Sequence, residues 1–138
     1  MKIMFLVFSL AFSLSSLGAE FFVLSSKNLN TESVNKEVVK SIFLGNKLYW
    51  ESGKRILPVH LPVNNKSFRF FLEEVIDMDA NQFLSYWRRR LFSGRAHPPK
   101  QLAKDDLIIE YIKNHPEGIG VISKAPAEES EDVIVIEI

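Results

Sequence analysis

The stretch "KRILPVHLPVNNKSFRFFLEEV", residues 54–75, places a strand directly before a helix, and this order decides the fold class. Residues 54–63 alternate weakly between apolar and polar and carry Pro58 and Pro62, which predicts a strand near a sheet edge or with prolines at its ends. From Ser67 onwards the apolar residues recur on one helical face. They are Phe68, Phe71, Leu72, Val75 and Ile76. The stretch therefore predicts one strand–helix unit of an α/β protein.

The segments on either side continue this alternation. Apolar runs predict further strands, at residues 20–26, 118–124 and 133–138. A helix is predicted over residues 32–45, with Asn30 and Thr31 as N-cap candidates and Gly45 as its stop. Another is predicted over residues 107–114, with Asp105 and Asp106 at its start. Strands that alternate with helices favour a mixed or parallel sheet with flanking helices.

A third helical pattern covers "NQFLSYWRRRLF", residues 81–92. Asp79 and Gln82 have the spacing of a capping box at its start. Phe83, Trp87 and Leu91 follow one another at i+4, so they share one face. We expect this face, with Trp87 at its centre, to be buried against the sheet, because a tryptophan buries a large apolar area.

The N-terminal residues "MKIMFLVFSLAFSLSSLG" have the order of a secretory signal peptide. Lys2 precedes an apolar run that is too short for a comfortable membrane span. Small residues before Ala19 predict cleavage there, with cleavage after Ala19 as the alternative. The sequence thus predicts a signal peptide at residues 1–18 and one exported, periplasmic domain at residues 19–138. The chain has no cysteine, so its stability depends on the core rather than on disulfides.

Charge and motifs exclude several classes of function. The 17 basic residues balance the 17 acidic ones without a long basic run, which argues against nucleic acid as a partner. His60, His97 and His115 lack metal-ligand spacing, and we expect each at the surface or in a loop. The sequence pairs no nucleophile with a base, so neither a catalytic residue, a metal nor a cofactor is predicted.

The turn that opens the second helix is a candidate anion site. Free N–H groups and the positive end of the dipole meet at a helix N-terminus. Ser67 offers a hydroxyl and a backbone donor, Phe68 a backbone donor, and Arg69 a guanidinium that binds anions through two hydrogen bonds. Asn65 and Lys66 add nearby donors. The alternative is an ordinary helix start, in which Asn65 or Ser67 caps the helix and Arg69 lies in solvent.

Four segments in order resemble the phosphate-type substrate-binding proteins of ABC transporters, specifically their short, roughly one-lobe relatives. The segments span residues 38 to 123. They read "VVKSIFLGNKLYWESGKRILPV", "SFRFFLEEV", "YWRRRLFSGRAHPP" and "HPEGIGVIS". The resemblance implies a single periplasmic-binding-protein-like lobe, with inorganic phosphate or a similar oxyanion as the ligand.

The same resemblance implies a ligand turn of the type Ser-Gly-Thr-Arg at a helix N-terminus. With Arg69 matched to the family's arginine, Lys66, Ser67 and Phe68 stand in place of serine, glycine and threonine. The glycine is therefore absent, and the hydroxyl is displaced by one residue. Family members with two lobes close them around the ligand, whereas this chain has material for about one lobe.

Two hypotheses of different classes follow. The first is an exported phosphate- or oxyanion-binding protein of the transporter-associated type, which binds weakly or as a homodimer. The second is an interaction module that has lost the ligand and binds a transporter, a sensor or another envelope protein. A binding lobe predicts convergent donors around Ser67 and Arg69. An interaction module predicts an exposed aromatic patch, for which Tyr49, Trp50 and Tyr86 are candidates.

Overall fold

A computed structural model describes residues 20–94, 96–127 and 132–138. The predicted signal peptide, residues 1–18, lies outside the described residues. The strands are β1 (Phe22–Ser26), β2 (Leu57–His60), β3 (Lys100–Gln101), β4 (Gly118–Ile122) and β5 (Val133–Ile136). The helices are α1 (Lys36–Phe43), α2 (Lys66–Phe71), α3 (Ala80–Phe92) and α4 (Asp105–Asn114). A π-helical turn, Leu72–Ile76, continues α2.

The five strands form one mixed sheet in the order β3-β2-β4-β1-β5. β2 runs parallel to both β3 and β4, whereas β1 runs antiparallel to β4 and β5. This confirms the predicted α/β fold class with a mixed sheet. β3 pairs only with Val59 and His60, so Pro58 lies where β2 has a neighbour on one side only. A proline is tolerated there because it cannot donate a ladder hydrogen bond.

β4 lies in the middle of the sheet and is buried at every position. Gly120 lets α4 approach this strand closely. A Cβ at that position would stand 2.6 Å from Ile108 Cγ2 and 3.0 Å from Ile112 Cδ1. The two isoleucines are the buried residues of α4 and are fully covered. Glycine at position 120 therefore sets the spacing between helix and sheet.

α2 and its π-helical turn bury all five apolar side chains that the sequence assigned to one face. Phe71 packs edge-on against Phe21 and Phe43, with ring centroids 5.3 Å and 5.1 Å apart. Phe68 stacks on Phe71 from the preceding turn. The aromatic rings of α2 thus connect it to α1 and to the residue that precedes β1.

α3 has the predicted capping box: Asp79 Oδ1 accepts from the Gln82 N–H, and Gln82 Oε1 accepts from the Asp79 N–H. Phe83 and Trp87 are buried as predicted. The prediction for Leu91 was wrong, since its side chain is 53% exposed. Helical spacing places it near the buried face, but at this end of α3 the described residues leave it uncovered.

Trp87 lies over the turn that ends α1. Its ring approaches Gly45, which has φ +73°, and a Cβ on Gly45 would stand 2.7 Å from Trp87 Cη2 and 3.5 Å from Ala96 Cβ. Gly45 therefore stops α1, as predicted, and also makes room for the indole. The structure shows the buried indole of Trp87 on the α1 turn, whereas the sequence predicted contact with the sheet.

The start of α1 and the third parallel strand differ from expectation. Asn35 caps α1 by accepting from the Val38 N–H at 2.9 Å, whereas Asn30 and Thr31 lie ahead of the helix. Asn30 instead accepts from the Glu32 N–H, which makes a local turn.

β3 was missed because it has two residues and exists only through its pairing with β2.

Candidate functional site

A cavity of about 440 Å³ lies at the carboxyl ends of the parallel strands β2 and β4. In open α/β sheets, ligands bind in the crevice at this end of the strands. The cavity lies between the first turns of α2 and α4. Residues that border it include Leu61, Asn65, Lys104, Asp105, Ser123 and Lys124. Two helix N-termini therefore meet at one concave place.

The start of α2 is capped from within the chain. Asn65 Oδ1 accepts from the Phe68 N–H at 3.1 Å, and the Asn65 carbonyl accepts from the Arg69 N–H. Among the described residues, the N–H groups of Lys66 and Ser67 are the donors of this turn that remain without a partner. The cap is the ordinary helix start that the sequence left open as the alternative, and it occupies the Phe68 donor.

The other predicted site residues surround this turn without converging. The Phe68 side chain is fully buried, Ser67 is half-buried and Lys66 is exposed. Arg69 is exposed, and its Nε donates to the Val63 carbonyl at 3.3 Å. Arg69 borders a separate recess with Glu73 and Asp79. Of the five predicted residues, Asn65 is the one that lines the 440 Å³ cavity.

The start of α4 contributes to the same cavity, and sequence reasoning missed this. Lys104 is the N-cap residue, but its side chain makes no capping hydrogen bond. Among the described residues, the N–H groups of Asp105 and Asp106 have no hydrogen-bond partner. The sequence placed these two aspartates at a helix start, but only the fold brings that start beside α2.

The Asp105 carboxylate itself binds donors at the end of β4. Its oxygens accept from the Ser123 N–H and hydroxyl at 2.9 Å each and from the Lys124 N–H at 3.0 Å. An acidic side chain thus occupies a place with three convergent donors. The cavity carries Lys104 and Lys124 against Asp105 and Asp106, so its charges balance.

His60 lies beneath the start of α2, and the expectation of a surface or loop position was wrong for it. It is the last residue of β2 and is 3% exposed. Its ring stacks on Phe68 at 4.2 Å and meets the edge of Phe83. Burial lowers the pKa of His60 to about 4, although the hydrogen bond from Nδ1 to the Leu61 carbonyl opposes this shift. At neutral pH the imidazole is therefore uncharged.

A second cavity, of about 480 Å³, lies at the opposite end of the strands, where β1 ends and β2 and β4 begin. Three residues on its lining already engage one another through polar groups. Lys54 pairs with Glu117 at 3.6 Å, and Trp50 Nε1 donates to the Glu117 carbonyl at 2.9 Å. We place the candidate site in the smaller cavity, because Asp105 and Asp106 on its lining have unpartnered backbone N–H groups and because the N-cap residue of α2, Asn65, borders it.

The three aromatic residues expected in an interaction patch do not form one. Trp50 is 7% exposed, and Tyr86 is half-buried with its hydroxyl donating to the Leu44 carbonyl. Tyr49 is exposed. The exposed apolar side chains of α3 are Leu84, Leu91 and Phe92. An apolar surface exists, but it lies elsewhere than the sequence indicated.

The residues that the structure describes contain no group of three or more histidine, cysteine, aspartate or glutamate side chains that could hold a metal ion. None of the helices in this part of the chain is long and apolar enough to cross a membrane.

Comparison with known proteins gives structural neighbours only. No family model matches the chain, and no curated protein matches it. One solved neighbour is a phosphate ABC transporter substrate-binding protein with bound phosphate from Clostridium perfringens. It has a TM-score of 0.63 and 15% identity, and the match covers 86% of this chain and 44% of that one.

A second solved neighbour is an ABC-type phosphate transport receptor from Vibrio cholerae. Its TM-score is 0.58 and its identity 12%, over 86% of this chain and 46% of that one. This chain therefore spans less than half the length of the two neighbours, which fits a one-lobe relative. The fold that the resemblance implied is confirmed: the chain has the fold of phosphate ABC transporter substrate-binding proteins, over about one half of their length.

Proposed function

We propose that the chain binds phosphate or a similar oxyanion as a substrate-binding protein of the ABC transporter type. The observation that carries the proposal is the cavity between the N-termini of α2 and α4, at the carboxyl ends of β2 and β4. Unpartnered N–H groups at helix N-termini bind anions. The neighbour that shares the fold holds phosphate. The role is therefore binding rather than catalysis.

The proposed donors come from the first turn of α2. The Ser67 hydroxyl and the backbone N–H groups of Lys66 and Ser67 are available, while the Phe68 N–H is held by Asn65 and becomes a donor only if that cap opens. Arg69 is exposed and borders the neighbouring recess, so it joins these donors by exchanging its bond to the Val63 carbonyl for a bidentate bond to the anion.

The start of α4 and the two lysines of the cavity supplement these donors. Lys104 and Lys124 border the same space as Asn65. Asp105 and Asp106 offset their charge, and one lobe leaves the ligand open to water. We therefore propose weak, salt-dependent binding that is strengthened by a homodimer or by a transporter or sensor partner. Export by residues 1–18 into the periplasm belongs to the same proposal.

Calorimetric titration with phosphate, sulfate and acetate tests the function. Loss of a charged hydrogen bond costs about 1.5–3 kcal/mol, so Arg69→Ala should weaken oxyanion binding about ten- to a hundredfold. Lys54→Ala is the matched control, because Lys54 and its partner Glu117 lie at the opposite, amino ends of β2 and β4. Lys104→Ala combined with Lys124→Ala tests the α4 side separately.

The outcomes separate the two sides of the cavity. Weakening by Arg69→Ala places the anion at α2. Weakening by the lysine pair alone places it at α4 and overturns the donor set of α2. Absence of binding to any of the three anions at millimolar concentration overturns the function itself.

The interaction-module hypothesis remains the second candidate function, because Leu91 and Phe92 are exposed apolar side chains on one helix. It predicts a protein without oxyanion affinity whose surface nevertheless binds another component of the cell envelope.

A further inference from the structure

The outer side of α3 carries a run of apolar side chains that the described residues leave uncovered. Leu84 is 42% exposed, Leu91 53% and Phe92 88%. At about 100° per residue these three and Arg88 fall within one strip about 12 Å long. We call this strip, Leu84, Arg88, Leu91 and Phe92, the α3 stripe. A single exposed apolar side chain is common, but neighbouring exposed apolar side chains such as these mark a candidate contact surface.

The charge beside the α3 stripe is positive, and no salt bridge among the described residues compensates it. α3 contains three arginines and no acidic residue. Arg90 turns inward, where it donates to Asn46 and to the Tyr86 hydroxyl. Arg88 and Arg89 are exposed, and neither forms a salt bridge with a described residue. Charge complementarity therefore favours a partner that is anionic and able to take up apolar side chains.

The shape of the stripe distinguishes between anionic partners. It stands on the convex outside of a helix, and the cavities described above are lined by other residues. A protein partner would have to supply a groove for Phe92. A second copy in a symmetric contact would oppose α3 with an identical positive helix, which is repulsive. A bilayer surface takes a protruding apolar side chain without a preformed groove.

We propose that α3 attaches the protein to an anionic phospholipid bilayer surface. Leu84, Leu91 and Phe92 enter the boundary between headgroups and acyl chains, while Arg88 and Arg89 bind lipid phosphates with their aliphatic stems along the apolar layer. Three apolar side chains and two charges give a weak, reversible attachment. The proposal uses no residue of the oxyanion site and stands whether or not that site binds a ligand.

The absence of native cysteine allows a local test on the full chain. In the variant Phe92→Cys, an environment-sensitive fluorophore is attached to the cysteine on the stripe. The matched control is Leu107→Cys with the same fluorophore, because Leu107 lies on α4 and is 37% exposed. Vesicles of phosphatidylglycerol should shift the emission of the label at position 92 to shorter wavelength and leave the label at 107 unchanged. Vesicles of phosphatidylcholine alone should shift neither label.

The positive charge of Arg88 and Arg89 provides a second test of the attachment. Replacing both Arg88 and Arg89 by glutamine should raise the phosphatidylglycerol concentration needed for half of the shift by about tenfold or more, and added salt should act in the same direction. Lys54→Gln is the control for general loss of positive charge.

Three results would overturn the proposal. The first is an unchanged label at position 92 with phosphatidylglycerol at millimolar lipid. The second is an equal shift of both labels, which would assign attachment to another part of the chain. The third is a shift at 92 that grows with protein concentration in lipid-free solution together with a doubled mass, which would assign the stripe to a second copy.

Discussion

α2 and α3 carry apolar residues at the same helical spacing, yet the two helices differ in how many of these residues they bury. The five apolar residues assigned to one face of α2 and its π-helical turn are all buried, against β-sheet, α1 and Phe21. α3 buries Phe83 and Trp87 but leaves Leu91 and Phe92 in solvent. Spacing therefore identifies which residues share a face, and the neighbouring elements decide whether that face is covered.

The first test of this contrast is truncation of an aromatic residue on each helix. Phe71→Ala should lower the free energy of unfolding by about 3–5 kcal/mol, because a fully buried phenylalanine leaves a cavity. Phe92→Ala should change it by less than about 0.5 kcal/mol, as exposed substitutions do. Denaturant titration measures both values. Similar losses for the two variants would mean that α3 buries its end in solution.

The second test concerns His60, which lies where Phe68 of α2 and Phe83 of α3 meet. Its pKa is about 4 in the folded protein, against 6.5 for an unperturbed histidine, because burial disfavours the charged form. The unfolded chain therefore binds the proton first as pH falls. The contribution of His60 to the free energy of unfolding is therefore fully present above pH 6.5. It is lost as pH falls towards 4, by about 3 kcal/mol in total.

Urea titrations at several pH values between 4 and 7 measure the slope of the free energy of unfolding against pH. His60→Gln should remove most of it, whereas His97→Gln, at an exposed position, should leave it unchanged. An equal slope in the wild type and in His60→Gln would show that other groups cause the acid sensitivity.

The third test concerns the packing of the Trp87 indole against Gly45. Gly45→Ala places a Cβ 2.7 Å from Trp87 Cη2 and forces alanine to φ +73°. Overpacking together with the left-handed backbone should cost about 1–3 kcal/mol. Gly53, at φ +85° with open space around its Cβ position, is the matched control, because Gly53→Ala carries the backbone cost alone. Equal losses would mean that the indole moves aside freely.

The sequence predicted the elements better than the site. The alternation of strands and helices, the capping box of α3 and the buried face of α2 all follow from local chemistry, and the structure confirms them. β3 could not be predicted, because two exposed residues become a strand only through β2. His60 was misplaced because nothing local shows that α2 and α3 meet over the end of β2.

The candidate site depends on the same kind of information. The turn from Asn65 to Arg69 is visible in the sequence, whereas its distance from the start of α4 is set by a sheet in which β2 and β4 are neighbours. Lys104 and Lys124 therefore had no local signal that linked them to Asn65.

The smallest expected effect compares the caps of the two helices. Asn65 caps α2 with one hydrogen bond to the Phe68 N–H, and Asp79 caps α3 within a reciprocal capping box. Replacing either residue by alanine should cost about 1 kcal/mol. Asn65→Ala frees the Phe68 N–H in the turn whose cap residue lines the 440 Å³ cavity, whereas Asp79→Ala frees the Gln82 N–H, which does not belong to that cavity. Phosphate should therefore recover more of the lost stability in Asn65→Ala than in Asp79→Ala, because a ligand that binds the folded state stabilises it. Thermal denaturation of both variants with and without phosphate measures the difference, and equal recovery would mean that the donors at the start of α2 do not face the ligand.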